Sequence, residues 1–299
     1  MTKSMNRMSR GDVIFEIVNC IFLGLIAVII LYPLIYVISA SFSDPMMVTS
    51  GAMWLWPVDL TIDNYKEVFK NKNIILGFRN SLVILFCGTA VNLVMTVLAA
   101  YPLSRHDLWG RNVLMKLITF TMFFGGGLIP TYLLVGKTLG LMNNWLALIL
   151  PGAISVYNMI IMRTYFMTSI PYEMQEAAEI DGCSAFGILL RIILPLSGPV
   201  LAVIALYYGV GHWNSYFNAL LYISDEKLAP LQLYLRKVLT LNNAQSLMEM
   251  GADEMARQAM RAETIKYSVI VVSSIPMLII YPFVQRFFVK GVMIGAVKG

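Results

Sequence analysis

Residues 170–199 read IPYEMQEAAEIDGCSAFGILLRIILPLSGP and form a polar interruption between two apolar stretches. Pro171 suits a first helical turn, because its missing N–H would have no partner there. Glu173 adds a carboxylate near the positive end of that helix dipole. Gly182 can take the left-handed conformation that ends a helix, and Ser184 can cap the next one. The stretch therefore predicts two short helices joined by a bend at Gly182.

The composition indicates that lipid surrounds most of this chain. Of its 299 residues, 58% are hydrophobic and 13% are charged, whereas a soluble domain carries about 25% charged residues. Apolar stretches recur along the whole length, so we expect one membrane domain over residues 1–299 rather than two soluble domains. The net charge of +5 is modest and no basic run occurs, which argues against a nucleic-acid partner.

Six apolar stretches are long enough to cross about 30 Å of hydrocarbon as helices. They cover about residues 17–40, 78–103, 113–135, 145–166, 200–221 and 266–288. The first is longer than the apolar core of about 7–15 residues in a signal peptide, so we expect it to be retained as a span. The sequence therefore predicts an all-α membrane protein with six transmembrane helices and with both termini on one side.

Three consecutive glycines, Gly125–Gly127, lie inside the third predicted span. Glycines in a membrane helix either let neighbouring helices approach closely or break the helix. Close packing is the simpler expectation, because it leaves the span continuous. A break is the alternative.

The sequence holds no pattern for covalent chemistry. Cys20, Cys87 and Cys183 have neither metal-ligand spacing nor a disulfide framework. There is no P-loop lysine motif and no His–Glu cluster typical of a metal site. His212 is the one histidine in a predicted span, and we expect it to be a hydrogen-bonded strut rather than a proton relay. We therefore expect a chain that is not an enzyme and has no cofactor or metal of its own.

Residues 170–199 resemble the EAA loop of ABC-importer permeases. That loop has Glu-Ala-Ala, three residues, Gly, and then an apolar stretch ending in Ile-x-Leu-Pro. The matching residues here are Glu176, Ala177, Ala178, Asp181, Gly182, Ile192, Leu194 and Pro195. In that family the loop is a coupling helix that docks into a cleft of the cytoplasmic ATPase subunit. The resemblance implies a cytoplasmic coupling loop over residues 167–195 and cytoplasmic termini. The implied ATPase-coupling residues are Glu173, Glu176, Ala177, Ala178, Asp181, Gly182 and Pro195.

Other stretches extend the resemblance to almost the whole chain. Asn80–Ser81 and AYPLSR at 100–105 are similar to maltose-type carbohydrate permeases. Four further stretches resemble, more specifically, the branch of these permeases that imports polysaccharide-derived oligosaccharides. The matching stretches are SFSDP at 41–45, LIPTYLLV at 128–135, GHWNSYFNALLY at 211–222 and QRFFVKGVMIGAVKG at 285–299. The chain resembles the second, six-span permease of such an importer.

The resemblance also implies partners and a membrane. In that family two homologous permeases form the pore as a heterodimer, and two ATP-binding subunits below them hold ATP-Mg and hydrolyse it. An extracytoplasmic binding protein delivers the sugar, and the complex lies in the bacterial cell membrane. The family tail is thought to reach between the ATPases. The tail residues of this chain that the resemblance implies for contact with the ATPases are Lys290, Gly291, Lys298 and Gly299.

Two other functions compete with oligosaccharide import. One is an ABC importer for a different solute. The other is an ion-coupled secondary transporter, which would need carboxylates near mid-membrane, whereas the predicted spans hold almost no acids. The charges of the outer segments nearly cancel, so the sequence favours neither acidic nor neutral sugars.

The fifth predicted span carries the densest group of polar and aromatic side chains. Tyr208, His212, Trp213, Asn214 and Tyr216 lie within about two and a half turns. Sugars present hydroxyl groups around apolar faces, so a mixture of aromatic, amide and hydroxyl groups suits a sugar path. The alternative is that the aromatic rings pack against neighbouring spans and the amides tie helices together.

Overall fold

The computed structural model describes residues 9–240, 264–282 and 285. All regular structure in these residues is helical. The predicted tail contacts lie outside the described residues, as does the end of the sixth predicted span. The chain forms two compact units. Among the described residues, unit 1 comprises 9–71, 238–240 and 264–273, and unit 2 comprises 72–237, 274–282 and 285.

The described helices follow one another in this order. The first are α1 (Arg10–Ser41), α2 (Pro45–Thr49) and α3 (Asp63–Lys70). Next come α4 (Lys72–Ser104), α5 (Arg111–Phe123), α6 (Leu128–Leu133), α7 (Leu146–Ile149), α8 (Val156–Thr168) and α9 (Tyr172–Ile180). Then come α10 (Ala185–Ile188), α11 (Leu194–Leu196), α12 (Gly198–Asn214), α13 (Phe217–Tyr222) and α14 (Leu231–Thr240). The last is α15 (Thr264–Pro282).

The long helix α1 opens unit 1. It begins with a capping box, in which the Ser9 hydroxyl accepts from the N–H of Gly11 and the Asp12 carboxylate accepts from the N–H of Ser9 at 3.0 Å. Both bonds satisfy amides that have no partner within the helix. The helix has 32 residues, which confirms a helix over the first predicted span and extends it toward the N-terminus.

The helix α4 is the centre of unit 2. It has 33 residues, packs against α8 and α12, and confirms a helix over the second predicted span. The core between these helices is apolar. Its members include Val97, Ala100, Met159, Met162, Phe166, Ile193, Val200 and Ile204.

The third predicted span is not continuous, so the expectation of close glycine packing is wrong. The helix α5 ends at Phe123, and the helix from Leu128 to Thr138 leaves at an angle of 106°. Gly127 has φ of +83°, a conformation that L side chains rarely adopt. Gly125 and Gly126 have no neighbour within 4 Å of an added Cβ. These glycines therefore allow a break rather than a close helix contact.

The fourth and fifth predicted spans also differ from single helices. Residues 145–166 form the short helix α7 and the helix α8, with Pro151 and Gly152 between them. Pro151 lacks the N–H that a continuous helix would need. In the fifth span, α12 begins at Gly198 and ends at Asn214, whereas the sequence predicted a helix to residue 221. Asn214 and Ser215 are weak helix formers because their side chains compete for backbone hydrogen bonds.

The described helices differ in whether they are long enough to cross a membrane. Three of them, α1, α4 and α15, are individually long and apolar enough. The bent pair at Gly125–Gly127 and the bent pair of 185–196 with α12 raise this number to five if each pair is one span. The described part of the chain is therefore all-helical, and several of its helices could cross a membrane.

Candidate functional site

The predicted helix, bend and second helix are present at residues 172–196. The helix α9 starts at Tyr172, directly after Pro171, and its cap residue is Asp181. Gly182 follows with φ of +78°. The N–H of Cys183 donates to the Ala178 carbonyl at 2.9 Å, and the N–H of Gly182 donates to Glu179 at 3.0 Å. This pair of bonds is the Schellman motif, which a glycine at this position makes possible. The prediction for Gly182 is confirmed.

The second helix of this loop begins at a side-chain cap. The Ser184 hydroxyl accepts from the N–H of Gly187 at 3.2 Å, which confirms the predicted cap. The helix then continues through a π-helical turn at Leu189–Ile193 into α11. It bends by 84° where α12 starts. Pro195 lies on the exposed side of α11.

The helix α9 is attached to the body of unit 2 along a narrow face. Its buried residues are Gln175 and Ala178. Glu173, Glu176 and Ala177 are exposed, and the two glutamates form no ion pair within the described part of the chain.

Apolar side chains flank these carboxylates on the same loop. Ile180 is 86% exposed and Phe186 is 60% exposed. These two apolar side chains and the two unpaired carboxylates are exposed within one short loop. We call Glu173, Glu176, Ile180 and Phe186 the coupling surface, after the role that the family resemblance implies for this loop.

A second cluster of polar groups lies between α4, α8 and α12. The Tyr208 hydroxyl is 2.7 Å from the Thr96 hydroxyl and accepts from the N–H of Ser155 at 2.9 Å. The Asn92 amide donates to the carbonyls of Gly152 and Ala153 at 2.7 and 3.0 Å. We call this cluster the polar belt.

The polar belt has a structural cause. The break between α7 and α8 leaves backbone N–H and carbonyl groups without helical partners, and lipid offers none. Asn92 and Tyr208 supply these partners from α4 and α12. Sequence reasoning missed Asn92. The available signal was an amide inside one apolar stretch, together with a Pro-Gly pair inside another.

His212 belongs to the same belt. Its Nε2 lies 2.6 Å from Asn92 Oδ1. Because the Asn92 amide nitrogen already donates to two carbonyls, its oxygen accepts, and His212 Nε2 carries the proton. The prediction that His212 is a hydrogen-bonded strut is confirmed by this contact.

The five residues predicted for a sugar path fall into two groups, those that face other helices and those that are exposed. Tyr208, His212 and Trp213 face other helices, and the buried ring of Trp213 packs edge-on against Phe78 with centroids 5.6 Å apart. Asn214 and Tyr216 are exposed.

The exposed ring of Tyr216 lies beside a cation. Arg236 Cζ is 5.4 Å from the centroid of this ring, which is within the range of a cation–π contact. Of the five predicted residues, Asn214 and Tyr216 are therefore the two that are exposed in this chain.

Comparisons with known proteins place the chain in a family. No family model matches it. It is 43% identical over 291 residues to Protein LplC of Bacillus subtilis strain 168, and the match covers 97% of each chain. It is 42% identical over 288 residues to the polygalacturonan/rhamnogalacturonan transport system permease protein YtcP of that strain, covering 96% of this chain and 99% of the relative.

A solved structure agrees with these relatives. One chain of the crystal structure of a bacterial ABC transporter involved in the import of the acidic polysaccharide alginate matches with a TM-score of 0.86 and 37% identity. The match covers 94% of this chain and 99% of that chain. Since sequence and fold agree over nearly the full length, this chain belongs to the family of membrane-embedded permease subunits of ABC sugar-import systems.

Proposed function

We propose that this chain forms half of the pore of an ATP-driven oligosaccharide importer and that residues 172–196 are its coupling element. The single observation that carries the proposal is the coupling surface. It exposes two unpaired carboxylates and two large apolar side chains on a capped, bent helix pair. Such a surface fits a cleft in a cytoplasmic ATPase, as the family resemblance implies.

The proposed topology has six spans in the bacterial cell membrane, with both termini in the cytoplasm. They are formed by α1, α4, the bent pair around Gly125–Gly127, α7 with α8, α12, and α15. The helix α8 has 13 residues, about 20 Å at 1.5 Å per residue. This is less than the hydrocarbon thickness of about 30 Å, so the segment from α7 must complete that span.

The proposed mechanism is alternating access. ATP-Mg binds to two partner ATPase subunits, and their closure moves the loop at 167–195 as a rigid body. A homologous second permease completes the pore, and an extracytoplasmic binding protein delivers the sugar. This chain supplies no catalytic group. Its tail, with Lys290, Gly291, Lys298 and Gly299, is proposed to contact the ATPase pair.

The substrate class follows from the relatives and from the exposed end of α12. YtcP is named for polygalacturonan and rhamnogalacturonan, and the solved relative is described as importing alginate. We therefore propose a fragment of a plant or microbial polysaccharide. Asn214 and Tyr216 offer an amide and a ring to such a sugar, whereas Tyr208, His212 and Trp213 hold the wall behind them.

The test is a charge reversal on the coupling surface, made in the complex of both permeases and both ATPases. Glu176→Lys should reduce the amount of ATPase that co-purifies, because it replaces an exposed carboxylate proposed to meet a basic group of the ATPase. The matched control is Glu67→Lys on α3, an exposed glutamate that the proposed topology places on the outer side. Equal ATPase retention by both variants would refute the proposed docking.

A further inference from the structure

The loop between α4 and α5 touches α9 near both of its ends. The ring of His106 packs edge-on against Tyr172, the first residue of α9, with centroids 5.0 Å apart. Arg105 Nη2 donates to Oε1 of Glu179, the residue before the last of α9. Residues 105–110 therefore hold the coupling helix near its start and near its end.

Arg105 is itself fixed by α4 and by its own loop. Its Nε and Nη2 donate to the two carboxylate oxygens of Asp107 at 2.8 and 2.9 Å. Its Nη1 donates to the Tyr101 hydroxyl at 3.2 Å, and Tyr101 is buried in the core of unit 2. Arg111 Nη1 donates to the Arg105 carbonyl at 3.0 Å. The planar guanidinium thus satisfies three partners in one geometry, which lysine cannot do.

This cluster combines a largely buried guanidinium with two carboxylates that are more exposed, 58% for Asp107 and 42% for Glu179. The Arg105 side chain is 12% exposed, although it lies at the end of a membrane helix. Hydrogen bonds from Arg105 hold the pKa of the Asp107 carboxyl below its usual range. One cation therefore faces two carboxylates, and Asp107 stays ionised at physiological pH.

We infer that Arg105 is a positioning residue that joins the coupling helix α9 to α4, so that α9, residues 105–110 and α4 move together. The inference rests on the proposed coupling function of α9. It extends that function, because α4 also carries Asn92 and Thr96 of the polar belt. A displacement of α9 would then reach Tyr208 and His212 on α12 through hydrogen-bonded side chains.

The first test compares variants in the reconstituted complex of both permeases, both ATPases and the binding protein. The probe is a labelled mixture of pectin- and alginate-derived oligosaccharides. In Arg105→Ala, the amount of sugar imported per ATP hydrolysed should fall about 2- to 30-fold. This range is the fold-change that corresponds to the coupling energies typical of mutations between two sites. ATPase co-purification and basal hydrolysis should persist. The control Lys116→Ala removes an exposed base on α5 and should keep the wild-type ratio.

Two further variants keep the inference falsifiable if Arg105→Ala does not assemble. Arg105→Lys keeps the charge but loses the three-way geometry, so its import ratio should also fall. Glu179→Gln removes only the carboxylate on α9 and should lower the ratio while sparing the Asp107 pair. A wild-type ratio in an assembled Arg105→Ala or in Glu179→Gln overturns the inference. Absence of import or of ATPase retention in the wild type would instead overturn the proposed function.

The second test asks directly whether the loop and the helix move together. His106→Cys and Tyr172→Cys are combined in a chain whose Cys20, Cys87 and Cys183 are replaced by serine. A short thiol cross-linker then joins the two positions. If they move as one body, the cross-linked complex keeps its sugar-stimulated ATP hydrolysis. If cross-linking stops hydrolysis and cleavage of the linker restores it, the two elements separate during the cycle and the inference is wrong.

Discussion

Gly88 gives the sharpest test of how α4 and α12 fit together. A Cβ added at Gly88 would lie 2.5 Å from Nε2, 2.7 Å from Cε1 and 2.9 Å from Cδ2 of His212. Distances below 3.0 Å are not found in real Cβ contacts, so Gly88→Ala must move either the imidazole ring or the helix. The ring is held by Asn92, which makes its displacement costly.

The expected magnitude combines opposing terms. Overpacking a filled helix interface costs about 1–3 kcal/mol, and loss of the His212–Asn92 hydrogen bond in a membrane costs about 0.6–1.7 kcal/mol. Replacing glycine by alanine within a helix recovers about 1 kcal/mol. We therefore expect Gly88→Ala to destabilise the protein by about 0.6–3.7 kcal/mol, the sum of these terms. Its thermal midpoint should fall by roughly 1–15 °C, taking 2–4 °C per kcal/mol for a chain of this order of size.

The assay is thermal unfolding of the purified permease pair, followed by tryptophan fluorescence. The matched control is Gly211→Ala on α12, where an added Cβ meets nothing within 4 Å, and its midpoint should be unchanged or slightly higher. Combining Gly88→Ala with His212→Ala should destabilise less than the sum of the two single changes, because the clash is removed. An unchanged midpoint for Gly88→Ala, or additive losses in the double variant, would refute this packing.

Three other outcomes follow from the same structure. Gly182→Leu should cost about 1–2 kcal/mol in local strain at its positive φ and should reduce sugar-stimulated ATP hydrolysis. Gly198→Ala, where an added Cβ meets nothing within 4 Å, should leave hydrolysis unchanged. Equal hydrolysis rates in the two variants would contradict the proposed role of the bend at Gly182. Deleting residues 290–299 should lower ATPase retention on purification, and full retention with normal import would leave the tail without a role. Asn214→Ala and Tyr216→Ala should weaken uptake without lowering the thermal midpoint, and unchanged uptake kinetics would exclude them from the sugar path.

Local signals in the sequence were sufficient for the helix, bend and second helix at residues 172–196. The left-handed bend at Gly182 and the cap at Ser184 depend on residues within five positions of each other, so their chemistry can be recognised without a fold. The same holds for α1 and α4, whose apolar stretches are long enough to predict helices although Pro33 and Pro102 lie within them.

The breaks and the long-range contacts were not predictable in the same way. A break at Gly125–Gly127 or at Pro151 depends on whether other residues can satisfy the freed backbone groups. For the break at Pro151, that information lies on α4 and α12. The pair of Arg105 with Glu179 joins positions 74 residues apart. Periodicity within a window of residues cannot show which carboxylate meets that guanidinium.

The most direct test of the central claim is uptake by reconstituted vesicles. The vesicles contain this chain, its partner permease and both ATPases, and receive the binding protein outside with labelled pectin-, alginate- or galactan-derived oligosaccharides. We predict accumulation of at least one of these sugars that requires ATP inside and is lost in Gly182→Leu. Accumulation driven by a sodium or proton gradient without ATP, or ATP-dependent uptake that Gly182→Leu leaves intact, would contradict the account.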